Sequence, residues 1–126
     1  MFSLIAALLV ATFTLTGFLS AEKKMVRHIV VLKYKDGSTD QQIQQITDAF
    51  AALKGKIPGI TAFEQGVKDS GENLHKGFTH IYMVTFKNAD ARDTYLPHPE
   101  HKKFVELLQG SGILEDIFVV DYSPKK

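Results

Sequence analysis

Three of the five histidines in this 126-residue chain stand where the neighbouring residues are apolar. His28 and His80 interrupt runs rich in β-branched and apolar residues. His101 lies three residues before Phe104 and seven before Leu108, so it shares their stripe in a helical pattern. Imidazole both donates and accepts hydrogen bonds and changes charge near neutral pH, which suits it to general-base work and to orienting a polar ligand. Taken singly, each of the three reads equally as a core histidine satisfied by one hydrogen bond. Three directed at one interior point to a shared polar pocket. His75 falls in a polar stretch and reads as solvated, and His98, just before Pro99, reads as a helix cap with its ring exposed.

Asp121 extends the set, standing beside Val119, Val120 and Tyr122 near the end of an apolar run. A buried carboxylate without a partner is costly, so Asp121 is either exposed, paired or shifted in its ionisation. A histidine partner satisfies it and orients the ring, and the pairing expected here is His101 with Asp121, with Tyr95 facing the same cavity. The Tyr95 phenol can donate to a developing oxyanion, although its local sequence fits an ordinary surface tyrosine as well. No H-x-x-x-H or H-E-x-x-H pattern and no cysteine occurs, so no metal site is expected. His98 and His101 have a spacing that suits metal sharing, but Pro99 and the capping role of His98 argue against it. No phosphate-cradling glycine loop and no G-x-S-x-G elbow occurs either, and no cofactor is expected.

The elements that must position these residues can be followed along the chain. Val26 to Tyr34 reads as a strand ending at Asp36-Gly37. Ser38 or Thr39 caps a helix with Gln41 or Gln42 as capping-box partner, and Ile43, Ile46, Phe50 and Leu53 form its buried stripe. Ile60 to Val67 is a weaker strand, residues 68–77 a polar loop, and Phe78 to Phe86 a third strand. Asp90 to Tyr95 reads as a helical turn stopped by Pro97. A second helix begins at Pro99 behind the His98 cap and closes at Gly110 or Gly112, and Ile113 to Tyr122 holds the last strand. The order is β-α-β-β-α-β: a ferredoxin-like α+β fold, one antiparallel sheet with two helices on one face. Both faces of the strands are apolar. Ile29, Val31, Ile81 and Met83 stand opposite His28, Val30, Leu32, Tyr82 and Val84, and in the last strand Ile117 and Val119 oppose Phe118, Val120 and Tyr122. Two helices cover only one face, so a second copy of the sheet is expected on the other, making the protein a homodimer.

The N-terminal residues belong to none of this. The first 21 carry no Lys, Arg, Asp or Glu, and Leu4 to Val10 is apolar throughout. The stretch reads as a signal peptide, which places the mature protein in a secreted or periplasmic location. The alternative is an uncleaved N-terminal membrane anchor, and contact with a membrane is expected only in that case. The n-region has no basic side chain, Leu19 stands where cleavage after Ala21 favours a small residue, and Lys23 and Lys24 follow the run. About 18 apolar-dominated residues is near the lower limit for spanning a bilayer. All 15 basic and 14 acidic side chains come after Ala21. They are scattered through the sequence, which gives no electrostatic ground for a nucleic-acid partner.

The quoted motifs together resemble the stress-responsive A/B barrel family over residues 25–123. They are Met25 to Tyr34 (MVRHIVVLKY), Thr79-His80-Ile81, Tyr95 to His101 (YLPHPEH) and Val120-Asp121-Tyr122. The resemblance implies a ferredoxin-like protomer that dimerises through its sheet into an α+β barrel. Most members have no established activity, but a plant polyketide-cyclase branch closes its substrate by aldol condensation without a cofactor. By similarity to that branch, His101 is the general base, Tyr95 the phenol, Asp121 the carboxylate partnering the histidine, and His28 and His80 pocket histidines. Phe50 lies where that pocket has a tyrosine and Thr47 where it has a phenylalanine, so the acyl-binding wall is altered.

Three functions fit the sequence. They are a dimeric module binding a small hydrophobic or aromatic ligand or serving a stress response, a cofactor-independent enzyme of cyclase, lyase or monooxygenase type using His101, and a structural oligomer. Expressed in a host of its own kind, the protein is predicted to leave the cytoplasm and to lack about its first 20 residues. N-terminal sequencing checks this: an intact terminus in the soluble cytoplasmic fraction refutes export, and one in the membrane fraction favours the anchor.

Overall fold

The computed structural model describes residues 24–126, and the signal or anchor expected over 1–21 lies outside the described residues. Four strands, β1 (Val26–Tyr34), β2 (Ile60–Val67), β3 (His80–Phe86) and β4 (Leu114–Tyr122), form one antiparallel sheet in the order β2-β3-β1-β4. The helices are α1 (Asp40–Ala52), α2 (Ala89–Tyr95) and α3 (Pro99–Gly110). The architecture is α+β and ferredoxin-like, with α2 as a short additional helix before α3.

Local chemistry accounts for the helix ends. Thr39 closes a capping box with Gln42: its hydroxyl accepts from the Gln42 amide at 3.1 Å, and Gln42 accepts from the Thr39 amide at 2.9 Å. His98 caps α3, with Nδ1 accepting from the Glu100 amide at 3.1 Å and Pro99 at the first helical position. The Asn88 side chain caps α2 by accepting from the Ala91 amide. Gly59, just before β2, has φ +94°, and a Cβ there would meet the Ala91 Cβ at 2.6 Å, so the strand passes under α2 only as glycine. The third strand starts at His80 instead of Phe78, because the Phe78 amide turns back to the His75 carbonyl.

The register sorts the side chains. Val30 opposes Tyr82 and Val119, and Leu32 opposes His80 and Ile117, so these all share the helix-covered face. Leu32, Tyr82, Phe86 and Tyr95 are fully buried there. Phe50 of α1 stacks on Tyr82 with ring centroids 5.1 Å apart and meets Phe104 of α3 at 4.4 Å, which ties both helices to the sheet and to each other. The opposite face carries Ile29, Val31, Ile81 and Met83, and on β4 Phe118, Val120 and Tyr122 are nearly half exposed.

One polar chain crosses the core. The Thr47 and Tyr82 hydroxyls bond at 2.8 Å, and Tyr82 bonds to the Tyr34 hydroxyl at 3.0 Å. Burial first, and then the Tyr82 hydrogen bond, push the Tyr34 phenol far above its ordinary range, so it stays a neutral donor. Tyr82→Phe keeps the ring but leaves two buried hydroxyls without their shared partner. It should cost about 1–3 kcal/mol, read as a lower urea midpoint at unchanged slope. An unmoved midpoint would show that the chain adds nothing to stability.

Candidate functional site

His28 is buried on the helix-covered face of β1, and the register places Asp121 of β4 directly opposite it. Its Nδ1–H donates to Asp121 Oδ1 at 2.6 Å, a short charge-assisted bond. The second carboxylate oxygen accepts from Arg92 Nη1 of α2 at 3.2 Å. Asp121 is therefore held from two sides, and through it the His28 ring is fixed in one tautomer. This corrects the expected His101–Asp121 pair. Both residues are present, but the β1–β4 register gives the carboxylate to His28.

His101 finds another partner. Leu96 follows the last residue of α2, where carbonyls lack helical partners, and the His101 Nδ1–H donates to its oxygen at 2.9 Å. The other ring nitrogen, Nε2, thus carries the lone pair. Burial lowers the proton affinity of His101 below its ordinary value, partly offset by the Leu96 bond, and the nearby His28 and His98 act in the same direction as burial. At neutral pH the ring is uncharged and able to accept a proton.

Tyr95 lies between the two histidines, with ring centroids 4.2 Å from His101 and 5.8 Å from His28. It is fully buried, and its hydroxyl has no hydrogen-bond partner among the described residues. Burial raises its ionisation far above the ordinary phenol range, so it remains a proton donor. A buried hydroxyl left unpaired costs about 1–3 kcal/mol, and the Tyr95 side chain lines a cavity of about 260 Å³ together with His28, His101 and Phe50. The rest of the wall is almost wholly aliphatic or aromatic, including Ile117 and Val119 of β4, and no Lys, Arg, Asp or Glu is among its lining residues.

The structure thus brings His28, Tyr95, His101 and Phe50 to one cavity and sets Asp121 behind His28. It does not bring His80 there. His80 opposes Leu32, four residues along β1 from His28, a separation of about 13 Å at strand rise. Its ring meets Tyr34 edge-on at 4.9 Å and its Nδ1 bonds the Thr79 hydroxyl at 2.8 Å, at the far end of the core. Sequence reasoning missed Arg92 and the Leu96 carbonyl. The first looks like a solvated helix residue, and the second has no side-chain signal at all. Among the described residues no cluster of three or more metal-ligating side chains occurs.

Comparison with known proteins gives one family. The family model for the stress-responsive A/B barrel domain matches residues 26–124. The stress-response A/B barrel domain-containing protein HS1 of Arabidopsis thaliana is 36% identical over 102 residues, covering 81% of this chain and 92% of the relative. Olivetolic acid cyclase of Cannabis sativa is 31% identical over 101 residues, covering 80% of this chain and 98% of the cyclase. Among solved structures, hydroxynitrile lyase from Passiflora edulis superimposes with a TM-score of 0.74 at 27% identity, over 82% of this chain and 95% of the lyase. A dimeric ferredoxin-like protein of unknown function from Jannaschia sp. does so with 0.64 at 27% identity, over 79% of this chain and 99% of that one.

The pairing of the two histidines is testable by NMR titration. Asp121→Asn should perturb the ring chemical shifts of His28 far more than those of His101, with His101 titrating below the ordinary 6.5 in both proteins. Because the folded-state value of His101 is depressed, its contribution to stability is complete above about pH 6.5 and is lost as pH falls through the folded value. The urea midpoint should therefore decline below that pH, and less so in His101→Gln. A larger response at His101 than at His28 would restore the pairing expected from sequence.

Proposed function

The chain belongs to the stress-responsive A/B barrel family, and we propose that it works as a homodimer whose protomers each hold a small, neutral, largely apolar molecule against Tyr95. The observation that carries this reading is a 260 Å³, almost wholly apolar cavity lined by His28, Tyr95 and His101, with the Tyr95 hydroxyl buried behind the wall without a partner among the described residues. A few fixed polar groups in an apolar pocket are what a small-molecule site consists of. The lining carries no charged side chain that would compensate a buried ion. A carbonyl or hydroxyl oxygen on an aromatic or aliphatic frame takes the phenol's hydrogen bond, and the apolar remainder packs against Phe50, Ile117 and Val119.

Self-association is supported by the sheet face that no helix covers, where Phe118, Val120 and Tyr122 are 47%, 49% and 45% exposed. The dimeric state given for the Jannaschia protein points the same way. Pairing two such faces closes the α+β barrel. Residues 1–21 target the chain to the export route, either as a cleaved signal or as a retained anchor.

A second reading has its own observation. The His101 Nδ1–H is committed to the Leu96 carbonyl, which leaves a lone pair on Nε2, and the Tyr95 ring lies 4.2 Å from the His101 ring, centroid to centroid. The cavity thus brings together a base and a phenol of the kind that moves a proton next to a carbonyl without a cofactor. Two relatives of this fold are named as enzymes, a cyclase and a lyase. On this reading His101 is the base and Tyr95 holds the oxyanion.

Native mass spectrometry of the purified protein tests the main reading. A dimer mass is expected, with a copurifying small molecule that is lost when Val119, half exposed on β4, is changed to Trp and fills the cavity. Tyr95→Phe should weaken rebinding of that molecule about tenfold, the equivalent of one hydrogen bond. A well-folded monomer, or equal ligand load in wild type and Val119→Trp, would sink the proposal. Conversion of the recovered molecule by wild type and not by His101→Ala would move the assignment to the enzyme.

A further inference from the structure

The end of the sheet where β1 begins carries a cationic groove that the ligand site does not use. The register sets Val26 opposite Phe86 and Arg27 opposite Tyr122. The segment entering β1, the residue leaving β3 and the segment leaving β4 therefore emerge side by side. Lys24, Lys87, Lys125 and Lys126, scattered in the sequence, line one groove of about 980 Å³ together with Met25, Thr61 and Pro124, and among the described residues no Asp or Glu lines it. Asp90 shares a smaller adjoining depression with Lys24 and has an interaction of its own.

The position of this groove gives it a partner. The chargeless apolar stretch of residues 1–21 ends three positions before Lys24. Lysines clustered at the water-side end of an apolar segment meet the phosphates of anionic lipids, each adding about fivefold to partitioning onto such a surface. We propose that, in place of the cleavage expected from the sequence, residues 1–21 are retained as an anchor and that the Lys24–Lys87–Lys125–Lys126 groove seats the domain on anionic phospholipid headgroups. Nucleic acid fits less well. Among the described residues the groove has no aromatic side chain on which a base would stack, and the apolar segment beside it in sequence has no role in that setting. Seated this way, the domain has its sheet end against the bilayer, with the β2–β3 loop at the opposite end pointing away.

The test uses the full chain reconstituted into neutral phosphatidylcholine vesicles and into vesicles with about one-third phosphatidylserine, whose negative surface potential supplies the attraction. Amine acylation is then read residue by residue by mass spectrometry. The chain should survive an alkaline wash on both vesicle types. On the anionic vesicles Lys24, Lys87, Lys125 and Lys126 should react several-fold more slowly than on the neutral ones, while Lys35 and Lys76 at the opposite end should not change. Raised ionic strength should remove the difference, because exposed charges are screened. Release from neutral vesicles by the wash overturns the anchor. Retention with equal lysine reactivity on both vesicle types overturns the groove's role while leaving the anchor standing. Protection of the four lysines by single-stranded DNA exceeding that by anionic vesicles overturns the lipid assignment.

Discussion

Burying the His28 ring on the central strand β1 obliges the fold to supply an acceptor for its Nδ1–H. β4 supplies Asp121 at the directly opposed position, and α2 supplies Arg92 to hold the other carboxylate oxygen. An unpaired carboxylate or imidazole at this depth would cost several kcal/mol, so a slip of β4 by one residue is doubly penalised. It would strand both groups and would turn Ile117 and Val119 away from the helix-covered face. The polar pair thus fixes the register of the edge strand, where apolar exposure on both faces leaves packing a weak guide.

The cavity follows from the same placement. α3 buries Phe104 and Leu108 over the central strands, yet Ile117 and Val119 on β4 remain 40% and 50% exposed. The layer of helices is too narrow for four strands, and the uncovered margin lies beside β4. Tyr95 reaches this margin because α2 ends there, and Pro97 and Pro99 then turn the chain so that His101 faces back toward the Leu96 carbonyl. The space, the phenol and the lone pair on His101 thus share one cause: a short helix ended by prolines at the uncovered edge of the sheet.

Much of this was legible in the sequence, in proportion to how local its cause is. The α1 stripe of Ile46, Phe50 and Leu53, the Thr39 capping box and the His98 cap depend on neighbours three or four residues away, and they can be read directly. The apolar alternation in β1, β3 and β4 announced two apolar faces. That alternation does not say which residue of one strand opposes which of another. His80 and His28 share a face and looked equivalent, but a four-residue offset in register puts them at opposite ends of the core. The same offset problem gave Asp121 to His28 in place of His101. Arg92, in a run of charged residues on a short helix, carries no periodic signal that distinguishes it from a solvated side chain.

What separates a binding site from a catalytic one here is the state of its proton-bearing groups. A histidine whose Nδ1–H is committed to a backbone carbonyl has its lone pair fixed on Nε2, and burial keeps that ring neutral at physiological pH. The phenol beside it is kept protonated by the same burial. The cavity therefore brings together a base and an acid that do not neutralise each other, since transfer between them would place two opposite charges against a largely apolar wall. A neutral ligand offering an acidic C–H next to a carbonyl changes that balance. On the enzyme reading, the proton leaving carbon would go to His101, and the Tyr95 phenol would meet the charge left on oxygen. A ligand without such a hydrogen meets the same groups as a plain acceptor and donor and is only held. Binding and turnover thus need the same pocket and differ in the acidity of what enters it.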